Sequence, residues 1–233
     1  MKKVTIISGG ASGLGFELAS GMLKAGKSVI ILGRDGEKLK TAASKLNDLY
    51  HNCDIEAFKC NIGIECEVKK LGDHLVSRQL VTEYLFNNAG MGLFVKADSL
   101  TSAMIDRVFE ANLKGMILLT TEILRMTPQE EELTIANIMS TSALIGRAEE
   151  TIYCAAKFGA RGFTEALRAE LKGTKRNIIA VYPGGMRTDF WKMPGVERNL
   201  STFMDPAIVA EKIVNAVLLS DKTLVTDITI NRR

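Results

Sequence analysis

The chain has 233 residues, 46% of them hydrophobic and 24% charged, with a formal net charge of +3. That length suits one α/β domain spanning residues 1–233 with a full-sized core, and so slight a basic excess, without a basic patch interleaved with aromatics, argues against nucleic acid as a partner. No apolar run nears the ~20 residues that cross a bilayer, and the chain opens directly on a strand pattern rather than a signal segment, which points to a cytoplasmic protein off the membrane.

Val4 to Ser8 is a short β-branched apolar run, the pattern of a buried strand. Gly9, Ser12, Gly13, Leu14 and Gly15 follow in a glycine-rich turn that opens a helical pattern through Phe16, Leu18, Ala19 and Met22. Strand, glycine turn and helix together form a cradle for a dinucleotide pyrophosphate on a helix N-terminus. A second strand, Ser28 to Leu32, ends at Gly33-Arg34-Asp35. The tip of this strand reads the adenosine ribose. A neutral Gly33 beside Arg34 favours NADP(H) over NAD(H), because a guanidinium pairs with a 2′-phosphate that an acidic residue would repel. A helix is expected from Glu37 to Leu49 and a third strand from Ile55 to Cys60, leading to Asn61-Ile62. Cys53, Cys60, Cys66 and Cys154 read as reduced thiols. With His51 and His74 they match no common zinc spacing, so no metal is expected.

Further along, a helix spans Glu65 to Ser77, a fourth strand spans Tyr84 to Asn88, and Ala89-Gly90 follow. Met91, Leu93 and Phe94 are candidate pocket residues or packing under a loop. A long helix is expected from Thr101 to Met126 with Asn112 inside it, where an amide needs partners. After the polar turn Pro128 to Glu132 comes a fifth strand, Thr134 to Met139, ending at Ser140-Thr141-Ser142. Tyr153 and Lys157 stand four apart and share one helix face. An ammonium about 5 Å from a phenol favours the phenolate by roughly 3 kcal/mol at an effective dielectric of about 20, which would bring Tyr153 near pH ~8. Glu149 and Glu150 read either as selectors of a cationic group or as a solvated loop. The sixth strand is Asn177 to Tyr182, followed by Pro183, Gly184, Met186 and Thr188. Phe190, Trp191, Met193, Leu200, Phe203 and Met204 then form an apolar stretch that reads as a substrate lid over about residues 186–205. A helix from Pro206 and a strand from Thr223 to Ile230 close the chain. Alternating strands and helices imply a Rossmann-like, doubly wound parallel seven-stranded sheet with helices on both faces.

Gly9-x-x-x-Gly13-x-Gly15, the run Asn87-Asn88-Ala89-Gly90, Asn112, Ser140, Tyr153-x-x-x-Lys157 and Pro183-Gly184 occur in the order found in the short-chain dehydrogenase/reductases of the single-domain type, which the chain resembles to about residue 190. The resemblance implies NADP(H)-dependent interconversion of a carbonyl and an alcohol. Tyr153 is then the proton donor, Ser140 the oxyanion partner, Lys157 the ribose ligand and pKa modulator, and Asn112 the holder of a relay water. It assigns cofactor contacts to Asn61, Ile62, Asn88, Ala89, Gly90, Met186 and Thr188, and a second substrate contact to Ser142. Leu144 and Trp191 are candidate substrate walls. It further implies a homodimer or homotetramer through the Asn112 and Tyr153 helices, with Phe109, Leu118, Phe163, Leu167 and Leu171 as apolar contact area. The Val-Asp-Gly-Gly ending of 3-oxoacyl carrier-protein reductases is replaced by Asn231-Arg232-Arg233. The tail is more similar to benzil, sepiapterin and 3-hydroxy-acid members. An apolar wall suits a ketone or diketone with a hydrophobic body. The alternative to an enzyme is a cofactor-sensing or scaffold protein without turnover.

Overall fold

The computed structural model describes residues 1–51, 53–192, 199–219 and 223–232. Seven strands form one parallel sheet in the order β3-β2-β1-β4-β5-β6-β7. They are β1 Lys2–Ser8, β2 Val29–Gly33, β3 Ile55–Lys59, β4 Leu80–Asn87, β5 Leu133–Ile138, β6 Arg176–Pro183 and β7 Asp227–Ile230. The helices are α1 Gly13–Lys24, α2 Gly36–Leu49, α3 Glu65–Ser77, α4 Ser102–Phe109, α5 Gly115–Met126, α6 Thr151–Glu170 and α7 Pro206–Leu218. Alternate strand residues divide the core. Ile7, Ile31 and Phe86 pack under α1, α2 and α7, whereas Ile6, Ile30 and Leu85 pack under α3, α5 and α6. A sheet buried on both faces explains why its central strands read as unbroken apolar runs.

Three elements differ most from the sequence expectation, each for a physical reason. The fourth strand begins at Leu80, four residues early, because Glu83 sits where the β1–β4 register slips and its carboxylate takes Lys27 at 3.0 Å. The polar residue that disguised the strand is a bulge. The last strand covers only Asp227–Ile230, and Thr226 before it is held by Arg168 Nη2, which donates to its carbonyl at 2.7 Å. The expected helix from Thr101 to Met126 is interrupted by a π turn at Glu110–Lys114, with Asn112 at its centre. Such wide turns gather at functional positions.

The apolar residues assigned to a subunit contact are mostly claimed by the sheet. Leu167 is buried in the core, and Leu118, Phe163 and Leu171 pack partly against it. Ile105 and Phe158 are the exposed large apolar side chains of α4 and α6. Met193, in the middle of the expected lid, lies outside the described residues. Among the described residues no helix is long and apolar enough to cross a membrane.

Candidate active site

The strand order reverses between β1 and β4, and a cleft of about 610 Å³ opens at the carboxyl ends of the strands there. A crevice at this reversal is where open α/β sheets bind ligands. The glycine turn forms its floor. Gly9 and Gly13 hold φ of +68° and +53°, values that side-chain-bearing residues rarely adopt. A Cβ on Gly15 would run into the Gly9 carbonyl and reach within 2.6 Å of Asn88 Nδ2, so this glycine lets α1 seat directly on the turn. Asn88 Nδ2 donates to the Ser8 carbonyl at 2.9 Å and so ties the end of β4 to the turn. On the far side, Thr188 Cγ2 lies 3.2 Å from where a Gly13 Cβ would stand, closing the segment after β6 over the glycines. The residues present thus fit a dinucleotide: backbone approaches where side chains cannot, on a helix N-terminus.

Asn112, Ser140, Tyr153 and Lys157 meet on the same cleft. Asn112 is buried, and its Nδ2 donates to the Met91 carbonyl at 2.8 Å and the Val108 carbonyl at 3.0 Å, while its Oδ1 accepts from Met91 N at 3.3 Å. The amide therefore stitches the loop after β4 to the π turn, and only one acceptor lone pair is left over. A Cβ on Gly90 would lie 2.7 Å from Asn112 Oδ1 and 3.5 Å from Lys157 Nζ, so Gly90 keeps that approach open. Ser140 caps its own turn, accepting from Ser142 N at 3.1 Å.

Burial overturns the expectation of a phenol near pH ~8. Tyr153 and Lys157 are both enclosed, with Nζ 5.7 Å from the ring centre. Loss of solvent pushes the phenol well above its usual range, opposed only in part by the Ser140 hydroxyl and aggravated by Glu150. The same desolvation lowers the lysine from 10.5 to about 8. Charge attraction alone gave the wrong sign because both charged forms lose water.

The lysine shift has a stability consequence. A base whose pKa falls on folding binds its proton less well in the folded chain, and the drop corresponds to roughly 3 kcal/mol. The penalty is full below about pH 8 and is relieved as pH rises toward 10.5. Lys157→Met should therefore unfold at higher urea than wild type at pH 7, by up to about 3 kcal/mol, with the gain fading as pH rises above about 8, where the folded lysine gives up its proton, and gone near 10.5. Equal stability at pH 7 would show that the ammonium carries no such strain.

The structure places the other predicted residues unevenly. Ser12, Leu14, Ala89, Pro183, Gly184, Met186, Ser142 and Trp191 line the cleft. Leu144 does not: it stands 40% exposed on the outside of its turn. Asn61 and Ile62 also lie off the wall. Asn61 accepts from Gly63 N at 3.1 Å and donates to Glu110 at 3.4 Å, and Ile62 packs where Gly115 leaves room, so both brace the π turn. Arg34 is exposed beyond the cleft rim. Asp35, next to it, caps α2 by accepting from Glu37 N and Lys38 N, a cap worth about 1 kcal/mol.

Two groups were missed or undervalued. Asn231 and Arg232 line the cleft because β7 runs parallel to β6, so its end arrives at the same edge as every other strand end. Glu150 is nearly buried on the wall rather than solvated. Trp191 stacks on Phe94 at 5.1 Å and meets Phe190 and Phe203 edge-on at 5.2 and 5.1 Å. Its Nε1 donates to the Met186 carbonyl at 2.9 Å, and Phe190 leans on the Tyr153 ring at 5.7 Å.

A doubly wound parallel sheet with glycine turn, cleft and tyrosine–lysine helix at one reversal point has the architecture of a Rossmann-like oxidoreductase. The family described as short chain dehydrogenase matches residues 3–197. A sepiapterin reductase of Chlorobaculum tepidum is 28% identical over 98% of this chain and 95% of its own length. A 3-oxoacyl-[acyl-carrier-protein] reductase of Rickettsia prowazekii is 32% identical over 80% and 74%. The crystal structure of an actinorhodin polyketide ketoreductase variant with NADPH superposes with a TM-score of 0.87 at 25% identity, covering 98% of this chain and 95% of that one. The chain belongs to the short-chain dehydrogenase family and is an oxidoreductase of CH–OH and carbonyl groups.

Proposed function

We propose that the chain is one NADP(H)-binding domain that reduces a ketone or diketone with an apolar body, using Tyr153, Ser140, Lys157 and Asn112. The observation that carries this is the convergence of all four on one cleft whose substrate end is walled by Phe190 and Trp191. A bound nicotinamide supplies the hydride. Tyr153 holds a proton at its phenol oxygen for delivery to the carbonyl oxygen, and Ser140 donates a hydrogen bond to that oxygen as its charge grows. Lys157, whose Nζ lies by Gly90, would hold the cofactor ribose. Asn112 fixes the Gly90–Met91 loop. The segment from Met186 to Trp191 acts as a lid, excluding water from the reacting oxygen. Ile105 and Phe158 on α4 and α6 are the side chains through which two copies associate.

Arg34 supports the phosphorylated cofactor. Asp35 accepts from Glu37 N and Lys38 N as the cap of α2, and Gly33 brings no acid to the strand tip, so the exposed Arg34 guanidinium is free to pair with a 2′-phosphate. The expected result is a kcat/KM preference for NADPH that falls at least tenfold in Arg34→Ala. A wild-type preference for NADH, or an unchanged ratio in the variant, would remove Arg34 from the site. The function itself is tested by NADPH oxidation with aromatic diketones, pterins and 3-oxoacyl thioesters. Turnover of none of them would overturn the reading, and a clear preference for the thioester would replace the substrate class.

A further inference from the structure

Glu150 lies three residues before Tyr153, at the N-terminal edge of α6, and is 8% exposed. A carboxylate so placed normally has a cation or several donors. Here Oε2 accepts one bond, from the neutral Ser142 hydroxyl at 3.0 Å. Among the described residues no ion pair includes Glu150. The nearest candidate cation in the chain, Arg147, turns its Nη2 to Thr141 Oγ1 at 3.2 Å instead. Glu150 lines the same cleft as Ser142, Phe190 and Trp191, and its carboxylate keeps acceptor capacity beyond that one bond.

We propose that Glu150 is the specificity-determining residue of the cleft and recognises a cationic nitrogen, an ammonium or amidinium, carried on the body of the carbonyl substrate. The inference rests on the reductase reading above and names the polar end of a substrate whose other end is apolar. Two features support it. An aromatic wall and a buried carboxylate on one cleft fit a flat group with N–H donors at its edge. Glu150 also helps push the Tyr153 phenol up, so a cation seated on the carboxylate would relieve the proton donor as the substrate binds.

The test uses a matched pair of ketones, para-aminomethyl acetophenone and para-methyl acetophenone, with NADPH and the full chain. Wild type should favour the ammonium ketone in kcat/KM by about tenfold to a hundredfold, the range of a charge-assisted bond in a desolvated site. Glu150→Gln should collapse the ratio to within about threefold, and Glu150→Asp should restore part of it. A purely structural Glu150 would slow both ketones alike and leave the ratio standing. Binding of benzamidine against benzamide, followed by calorimetry, gives a second readout that needs no turnover. Reduction of both ketones without preference overturns the proposal and leaves the reductase reading intact. No reduction of either ketone, with benzamidine binding weakened at least tenfold in Glu150→Gln, supports the cation site and counts against the reductase reading. Benzamidine and benzamide binding alike to wild type overturns the cation site.

Discussion

Tyr153→Phe is expected to lower kcat by about a thousandfold while leaving dinucleotide affinity within about threefold. The hydroxyl is one atom in a closed corner, bounded by Phe190 at 5.7 Å between ring centres and touched by the Ser140 hydroxyl. Its removal deletes the proposed proton source without disturbing the glycine turn on the cleft floor that would hold the cofactor. The raised phenol keeps its proton across the neutral range. It therefore suits donation to a carbonyl better than acceptance from an alcohol, and alcohol oxidation should gain more than ketone reduction as pH rises. Binding can be read without a label. Trp191 is the only tryptophan in the chain and stands on the cleft wall, so its fluorescence reports occupancy. Turnover within tenfold of wild type would sink the assignment of Tyr153 as the donor.

Gly15→Ala should cost about 2 kcal/mol and lower Tm by about 4–8 °C, with cofactor affinity falling more steeply than stability. The added methyl meets the Gly9 carbonyl and the Asn88 amide, and both belong to the floor of the cleft. Neither is the free end of a flexible side chain. Relief requires α1 to back away from the turn, which would withdraw the helix N-terminus from a bound pyrophosphate. Gly162→Ala is the control of opposite sign. It lies on α6 with nothing within 4 Å of a Cβ, so the exchange should stabilise by up to about 1 kcal/mol through helix propensity. Unchanged melting of Gly15→Ala would mean that the turn is not close-packed against α1.

What the sequence revealed and what it hid follow one physical division. Strands β1, β2, β5 and β6 were legible because both faces are buried, and the glycine turn because only glycine meets its geometry. Helix spacing placed Tyr153 and Lys157 on one face, but spacing carries no information about desolvation, so the sign of the tyrosine shift came out wrong. From sequence, the fourth strand starts one residue after Glu83, and Glu150 reads as either a cation selector or a solvated loop, because an acidic residue looks solvated there. Only the fold shows that one bulges from a strand while the other is sunk in a wall. Asn61 and Ile62 follow β3, which lies two strands away from the reversal point, and the loop there turns onto the π turn instead of the cleft.

The π turn at Glu110–Lys114 sets the phase of everything after it. A helix advances about 100° per residue, and a wide turn holds one residue more than an α turn in the same rise. Met116, Leu119 and Ile123 face the core only because that extra residue has been counted in. Loss of any single residue from this turn would let the ladder close into regular α-helix and swing α5 through about 100° relative to α4. The apolar stripe would leave the sheet and Asn112 would leave the cleft together. Chain length at this point is therefore constrained more tightly than residue identity, and an otherwise mild deletion becomes a loss of both fold and site.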